Sequence, residues 1–229
     1  MRLISKIFIL VLFFASPAFA ADSIGKVAEV SGKVVVSHEK GKKNAVLALN
    51  DPLFLKDVVE TKKEGAVKIT FIDKSSLVLR ENSKIVISTF LFNPKQGERQ
   101  TGIDVAYGKV RAIIEKFYNK SKSKTELKAP TAVVGVRGTE FAMDVTKKKA
   151  TVYCLKGSVA TYNPMYPTQA VDVAAGKFTD VIANKIPELP IPIPKEVLDT
   201  IESQFGFPTS VESLKQRGLD NLKGRLPFP

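Results

Sequence analysis

The stretch "APTAVVGVRGTEF", Ala129–Phe141, decides how the chain is read. Ala132, Val133, Val134 and Val136 form an apolar run with β-branched side chains, the composition of a buried strand. Arg137 and Gly138 then interrupt it, and apolar character returns at Phe141. Glycine inside a strand pattern marks a kink, a bulge or a close backbone approach. The chain therefore turns a corner here and starts a new strand. Arginine at such a corner offers five donors in a planar fork. It could tie strand-end carbonyls together or grip a carboxylate on two prongs. Glu140 and Asp73 are the partners considered, and the reading favours a structural clasp over a ligand contact.

Outward from this stretch the same grammar repeats. "AVKITFID" places Val67, Ile69 and Phe71 on one face and Lys68 and Thr70 on the other. This two-residue period indicates a half-buried strand. "KVAEV", "KVVVS", "SLVLR", "KIVIS", "GIDVAYG", "KVRAIIEKF", "EFAMDV", "ATVYCL", "SVATY" and "DVAAGKFTDV" follow the same style. Only "DPLFLKDVVE", Asp51–Glu60, allows a helix within this body. Glycine precedes valine by two residues at Gly25, Gly32, Gly65, Gly108 and Gly157, with no fixed period. The expected fold is mainly β: many short strands in a twisted solenoid-like or sandwich arrangement, with a short helical C-terminal tail.

The N-terminus carries Arg2 and Lys6, the apolar run Ile7–Ala15 and the small-x-small pattern Ala18-Phe19-Ala20. That is the three-part pattern of a secretory signal peptide over residues 1–20. Cleavage there leaves a mature chain of about 209 residues, enough for one domain with a sizeable core and an appendage. The mature chain is expected to be periplasmic or secreted and not integral to the membrane. Cys154 is the only cysteine, so no intrachain disulfide forms. It is read as a small buried hydrophobe.

The formal charge is +12, but the lysines are dispersed. No basic cluster carries the aromatic interleaving of a single-strand platform or a groove-reading motif, so no nucleic-acid partner is expected. Outside the cytoplasm such a surface meets anionic lipid, acidic polysaccharide or acidic protein. The single histidine, His38, excludes multi-histidine zinc sites and Ser-His arrangements. No catalytic residues, metal site or cofactor are expected; a hydrolase using carboxylates alone stays open.

Composition changes at Ile186. "PELPIPIP" reads as an extended, semi-rigid linker over 185–194, following a β-domain over 21–184. A helical tail over 195–229 is expected to hold two short helices. Val197, Leu198, Ile201 and Phe205 line the first, and Thr209 with Glu212 suggests a capping box for the second.

"GKVRAIIEKF", "TELKAPTAVVGVRGTEFAMDV", "TVYCLKGSVA" and "VDVAAGKF" resemble the FecR domain family, and "VVETKKEGAVKITFIDKSSLVLRENSKIVI" fits the same pattern. The resemblance covers roughly Gly25 to Val181. Its most specific part supplies the motif residues Pro130, Thr131, Arg137, Gly138, Thr139, Glu140 and Phe141. It implies a twisted, solenoid-like β-domain that serves in protein interaction and signal relay rather than catalysis. The expected partner is a protein or a component of the cell envelope. Competing readings are an envelope hydrolase and a diverged regulator of iron-type transmembrane signalling that lacks its anchor. Lys74 stands where the family usually has glycine.

Overall fold

The computed structural model describes residues 22–38, 44–116 and 123–206. The expected signal peptide and the expected second tail helix lie outside these residues. In chain order the strands are β1 (Gly25–Ser31), β2 (Val34–Ser37), β3 (Ala45–Val46), β4 (Pro52–Leu53), β5 (Val58–Thr61) and β6 (Ala66–Phe71). Next come β7 (Ser76–Leu79), β8 (Ser83–Asn93), β9 (Glu98–Ile113), β10 (Ser123–Lys128), β11 (Val133–Val136) and β12 (Glu140–Val145). The series ends with β13 (Lys149–Lys156), β14 (Ser158–Tyr162), β15 (Val171–Ala174), β16 (Lys177–Ile182), β17 (Ile191–Pro192) and the helix α1 (Lys195–Phe205).

All 17 strands join one hydrogen-bonded sheet, and that sheet is folded into two layers. The upper layer runs β4-β1-β6-β7-β9-β12-β13-β16-β17. The lower layer runs β3-β2-β5-β8-β9-β10-β11-β14-β15. β9 belongs to both. From Glu98 to Tyr107 it pairs with β8, and from Gly108 to Ile113 with β12. Gly108 sits at the crossing with φ +100°, and a Cβ there would lie 2.4 Å from the Ser83 Cα. Only glycine fits that conformation and that approach. Pairing is antiparallel throughout except between β9 and β10, where Thr125 lies beside Thr101. The sheet is therefore mixed, as the expected β architecture allows.

The core fills the space between the layers. Ile69, Leu77 and Phe141 from above meet Ile85, Ile103 and Val134 from below, all fully or almost fully buried. Strict alternation places these residues inward and Lys68, Arg111 and Lys84 outward. Burying a side chain the size of Phe141 contributes about 3 kcal/mol. Cys154 belongs to this core, and burial pushes its thiol pKa up to about 11. The two-residue β4, a turn and the first residues of β5 occupy Asp51–Glu60, where the sequence allows a helix. Asp57 accounts for the difference. Its carboxylate accepts the Phe54 N–H at 2.8 Å and closes a turn in place of a helical bond.

The prolines of "PELPIPIP" do not hold a spacer away from the domain. The segment lies along β16, with Phe178 opposite Ile191 and Lys177 opposite Pro192. The Thr179 hydroxyl donates to the Glu188 carbonyl at 2.6 Å, and the Ile193 N–H donates to the Gly176 carbonyl at 2.8 Å. The two-residue period explains the composition. Isoleucine N–H groups face β16, while Pro190 and Pro192 fall where an N–H would face outward unpaired. Proline is tolerated on a sheet edge for this reason.

α1 packs on the outer face of the upper layer. Ile201 and Phe205 are buried against Val78 and Ala142, with Val197, Tyr153 and Leu155 packed around them. An isolated helix of 11 residues is marginal in water, so docking supports its formation. Its N-cap, Pro194, provides no side-chain cap, and its last turn carries no basic residue. This is the apolar stripe read from the sequence, with Leu198 at its half-exposed margin.

Candidate functional site

The motif Ala129–Phe141 is the crossing from the lower layer to the upper. β11 ends at Val136, Gly138 adopts φ +59°, and β12 begins at Glu140. A Cβ on Gly138 would come within 2.4 Å of the Lys116 side chain, so the corner needs glycine twice over. Thr131, Thr139, Glu140 and Phe141 are buried, and Pro130 is exposed.

Arg137 is exposed. It makes no hydrogen bond or ion pair to another described residue, so it is not the buried clasp expected from its place in the motif. Val134 and Val136 of β11 face the core, so the two-residue alternation itself turns the Arg137 side chain to solvent. The clasp exists on a different arginine. Arg99, near the start of β9, is only 1% exposed. Its Nη1 donates to the Glu115 carbonyl at 2.8 Å and lies 3.6 Å from the Asp73 carboxylate. Asp73 in turn accepts the Ser75 N–H at 3.0 Å and the Ser75 hydroxyl at 3.1 Å. Arg99 thus ties the lower layer to the β6–β7 turn and to the end of β9 in the upper layer. Burial lowers its pKa, and the nearby Asp73 charge acts in the opposite direction. Lys74 completes that turn with φ +68°. The turn keeps a left-handed residue even with lysine at the position.

Glu140, the other partner considered for Arg137, is gripped by Arg111 and Lys156. Arg111 Nε donates to it at 3.0 Å, Nη2 makes a second bond, and Lys156 Nζ lies 2.9 Å away. Burial pushes the Glu140 carboxyl up, but these hydrogen bonds and charges outweigh it and hold the pKa below the ordinary carboxylate value. Sequence reasoning identified both carboxylates and the clasp device, and it assigned the clasp to the wrong arginine. Arg99 stands in "GERQTG", a polar hairpin stretch without apolar neighbours, so no local pattern announced its burial.

His38 is held by Asp57, Nδ1 to Oδ1 2.8 Å, and packs edge-on to Phe54 with ring centroids 5.7 Å apart. Asp57 is thereby occupied on both oxygens. Among the described residues no three His, Cys, Asp or Glu side chains converge as a metal site, and no helix is long and apolar enough to cross a membrane.

One groove runs beside α1. Its apolar end, about 120 Å³, lies between Ile201 and Phe205 of the helix and Ala142, Met143 and Tyr153 of the sheet. Its polar end, about 340 Å³, is bounded by Arg80, Glu81, Asn82 and Gly108. Lys109, Asp144 and Gln204 border both ends. Lys109 Nζ lies 4.0 Å from the Asp144 carboxylate and 3.4 Å from the Gln204 amide oxygen. The Glu81 carboxylate is used locally, accepting the Glu64 N–H at 2.8 Å.

Two layers of short strands, cross-tied by buried ion pairs and flanked by a docked helix, make up the described residues. Within them, residues 57–160 form a FecR domain, matching the family described as FecR protein. That span runs from the start of β5 to β14, with the crossing in β9 at its middle. Two crystal structures of "a putative anti-sigma factor from Parabacteroides distasonis ATCC 8503" share the fold. One aligns with a TM-score of 0.51 at 12% identity over 63% of each chain. The other aligns at 0.50 and 12% identity over 62% of each chain. The present chain thus spans about 63% of the length of the first of those structures. A comparison of the sequence with curated proteins gives no match.

Proposed function

We propose that the chain is an exported, non-enzymatic FecR-like module that binds a protein or another component of the cell envelope and relays its presence. The observation that carries this reading is the fate of the reactive side chains. Asp57 holds His38, Asp73 holds Arg99, and Glu140 holds Arg111 and Lys156, so each cluster is committed to the fold. Cys154 is sealed in the core. The outer faces remain as the functional surface. The sequence pattern of residues 1–20 supports export, and the anti-sigma description of the solved neighbours supports relay.

The test combines location and contact. The chain is expressed with its N-terminus intact, and cell fractions are examined by intact mass. A mature species beginning near Ala21 in the envelope fraction is expected. A photo-reactive residue is then placed at Lys109 on the groove and, separately, at Lys124 on the opposite layer. A discrete cross-linked partner from either position supports the reading. A full-length cytoplasmic product, or glycoside or ester hydrolysis that is lost in Asp144→Asn, overturns it.

A further inference from the structure

The four sheet edges of this domain are finished in different ways. In the upper layer, β4 and β17 are each two residues long and contain proline. In the lower layer β3 is also two residues long. β15 has four residues, Val171–Ala174, without proline or lysine. Long, unblocked edges are templates for pairing, and proteins normally guard them.

The register shows which groups of β15 are on offer. The Ala175 N–H donates to the Gly157 carbonyl at 2.9 Å, and Ser158 lies opposite Ala174. In an antiparallel ladder hydrogen-bonded and non-hydrogen-bonded pairs alternate. Val173 and Val171 therefore bond to β14, while the N–H and C=O groups of Asp172 and Ala174 point away from it. Both residues are exposed, and no other described residue hydrogen-bonds to these main-chain groups.

The same end of the domain displays apolar surface. Leu189 is 82% exposed, Met165 62% and Ile191 54%. Asn163 gathers this surface, donating to the Ile182 carbonyl at 3.0 Å and the Lys185 carbonyl at 2.8 Å. The Met165 loop is thus held against the segment that leads to Leu189.

We infer that β15 pairs antiparallel with β15 of a second copy of this chain, about a two-fold axis at Val173, with the apolar side chains of the same end closing around the junction. The edge is self-complementary in that register. Asp172 faces the second copy's Ala174 and Ala174 faces its Asp172, so four hydrogen bonds form and each of the four outward N–H groups and carbonyls is used. The neighbouring register, centred on Asp172, sets two aspartates opposite each other and is disfavoured by like charge. An isologous contact of this kind closes as a dimer. The upper-layer edge beside it, with Pro190 and Pro192, adds no competing ladder.

The contact is read by sedimentation of the full chain and by cysteine pairing. Directly opposed residues in a hydrogen-bonded pair stand about 5.5 Å apart at Cα, within disulfide reach. Asp172→Cys protein mixed with Ala174→Cys protein should oxidise to a covalent heterodimer, while neither variant alone should cross-link comparably. The native Cys154 is buried and does not interfere. Ala174→Pro removes an outward N–H, and Leu189→Lys charges the apolar rim; each should lower dimer affinity at least tenfold with an unchanged circular dichroism spectrum. Leu189→Lys tests the idea even if Ala174→Pro misfolds, because residue 189 is on the surface. A chain that stays monomeric at high micromolar concentration overturns the inference. So does a dimer indifferent to Leu189→Lys, or one in which either cysteine variant alone cross-links as well as the mixture.

Discussion

Replacing Arg99 by alanine should be among the most damaging single changes outside the apolar core, while the same change at Arg137 should be nearly silent. Arg99 is almost fully buried and bridges the Glu115 carbonyl and the Asp73 carboxylate. Its loss leaves the largely buried Asp73 carboxylate with Ser75 as its hydrogen-bond partner among the described residues. Breaking a buried ion pair from one side costs about 3–5 kcal/mol. For a domain of this size each kcal/mol moves the midpoint by about 2–4 °C, so Arg99→Ala should melt roughly 10 °C below the parent. Arg99→Lys should recover part of this, since a point charge reaches Asp73 but cannot copy the fork. Arg137→Ala should stay within about 0.5 kcal/mol, the range of ordinary surface substitutions. Calorimetry or thermal circular dichroism of purified variants measures both. If Arg137→Ala costs as much as Arg99→Ala, the assignment of the clasp is wrong.

The other expectations are more direct. Glu140 has a depressed folded-state pKa, so its contribution is present above the ordinary value of 4.5 and is lost as pH falls through the folded value; denaturation midpoints of wild type and Glu140→Gln should converge on acidification. Cys154, with its pKa pushed up to about 11, should resist a thiol reagent at pH 8 and react at the rate of unfolding in denaturant. Lys74→Gly should raise stability by about 1 kcal/mol in a melt, because φ +68° costs a side-chain-bearing residue more than glycine loses in chain entropy. Truncation after Pro194 should leave a cooperative β-domain with increased dye binding over Tyr153. Truncation after Ile186 should also aggregate, because it strips the proline edge from β16, and light scattering distinguishes the two.

The β architecture was legible because its signals are local. "AVKITFID" alternates strictly, and each inward residue of β6 is buried where the pattern placed it. The motif corner was legible for the same reason, since a glycine after an apolar run marks a turn. The tail stripe Val197, Ile201 and Phe205 was readable, but the surface it covers was not. Val78 and Ala142 come from strands far away in sequence. The pairing of Arg99 with Asp73 was hidden because 26 positions, including all of β7 and β8, separate them and the stretch around Arg99 is polar. The linker was misjudged from composition alone. Its alternating prolines suit a free polyproline helix and a sheet edge equally, and only β16 decides between them.

β9 carries a consequence for cooperativity. A sandwich whose layers share no strand can open like a book, each cover keeping its own hydrogen bonds. Here the spine is covalent. The 16 residues Glu98–Ile113 are an interior strand of both covers. A slip of one residue in either layer would turn the shared strand over in the other and expose its core side chains. Neither layer can therefore melt alone. Amides of Ile103 below and Val110 above should exchange with solvent at one common slow rate, set by opening of the whole domain.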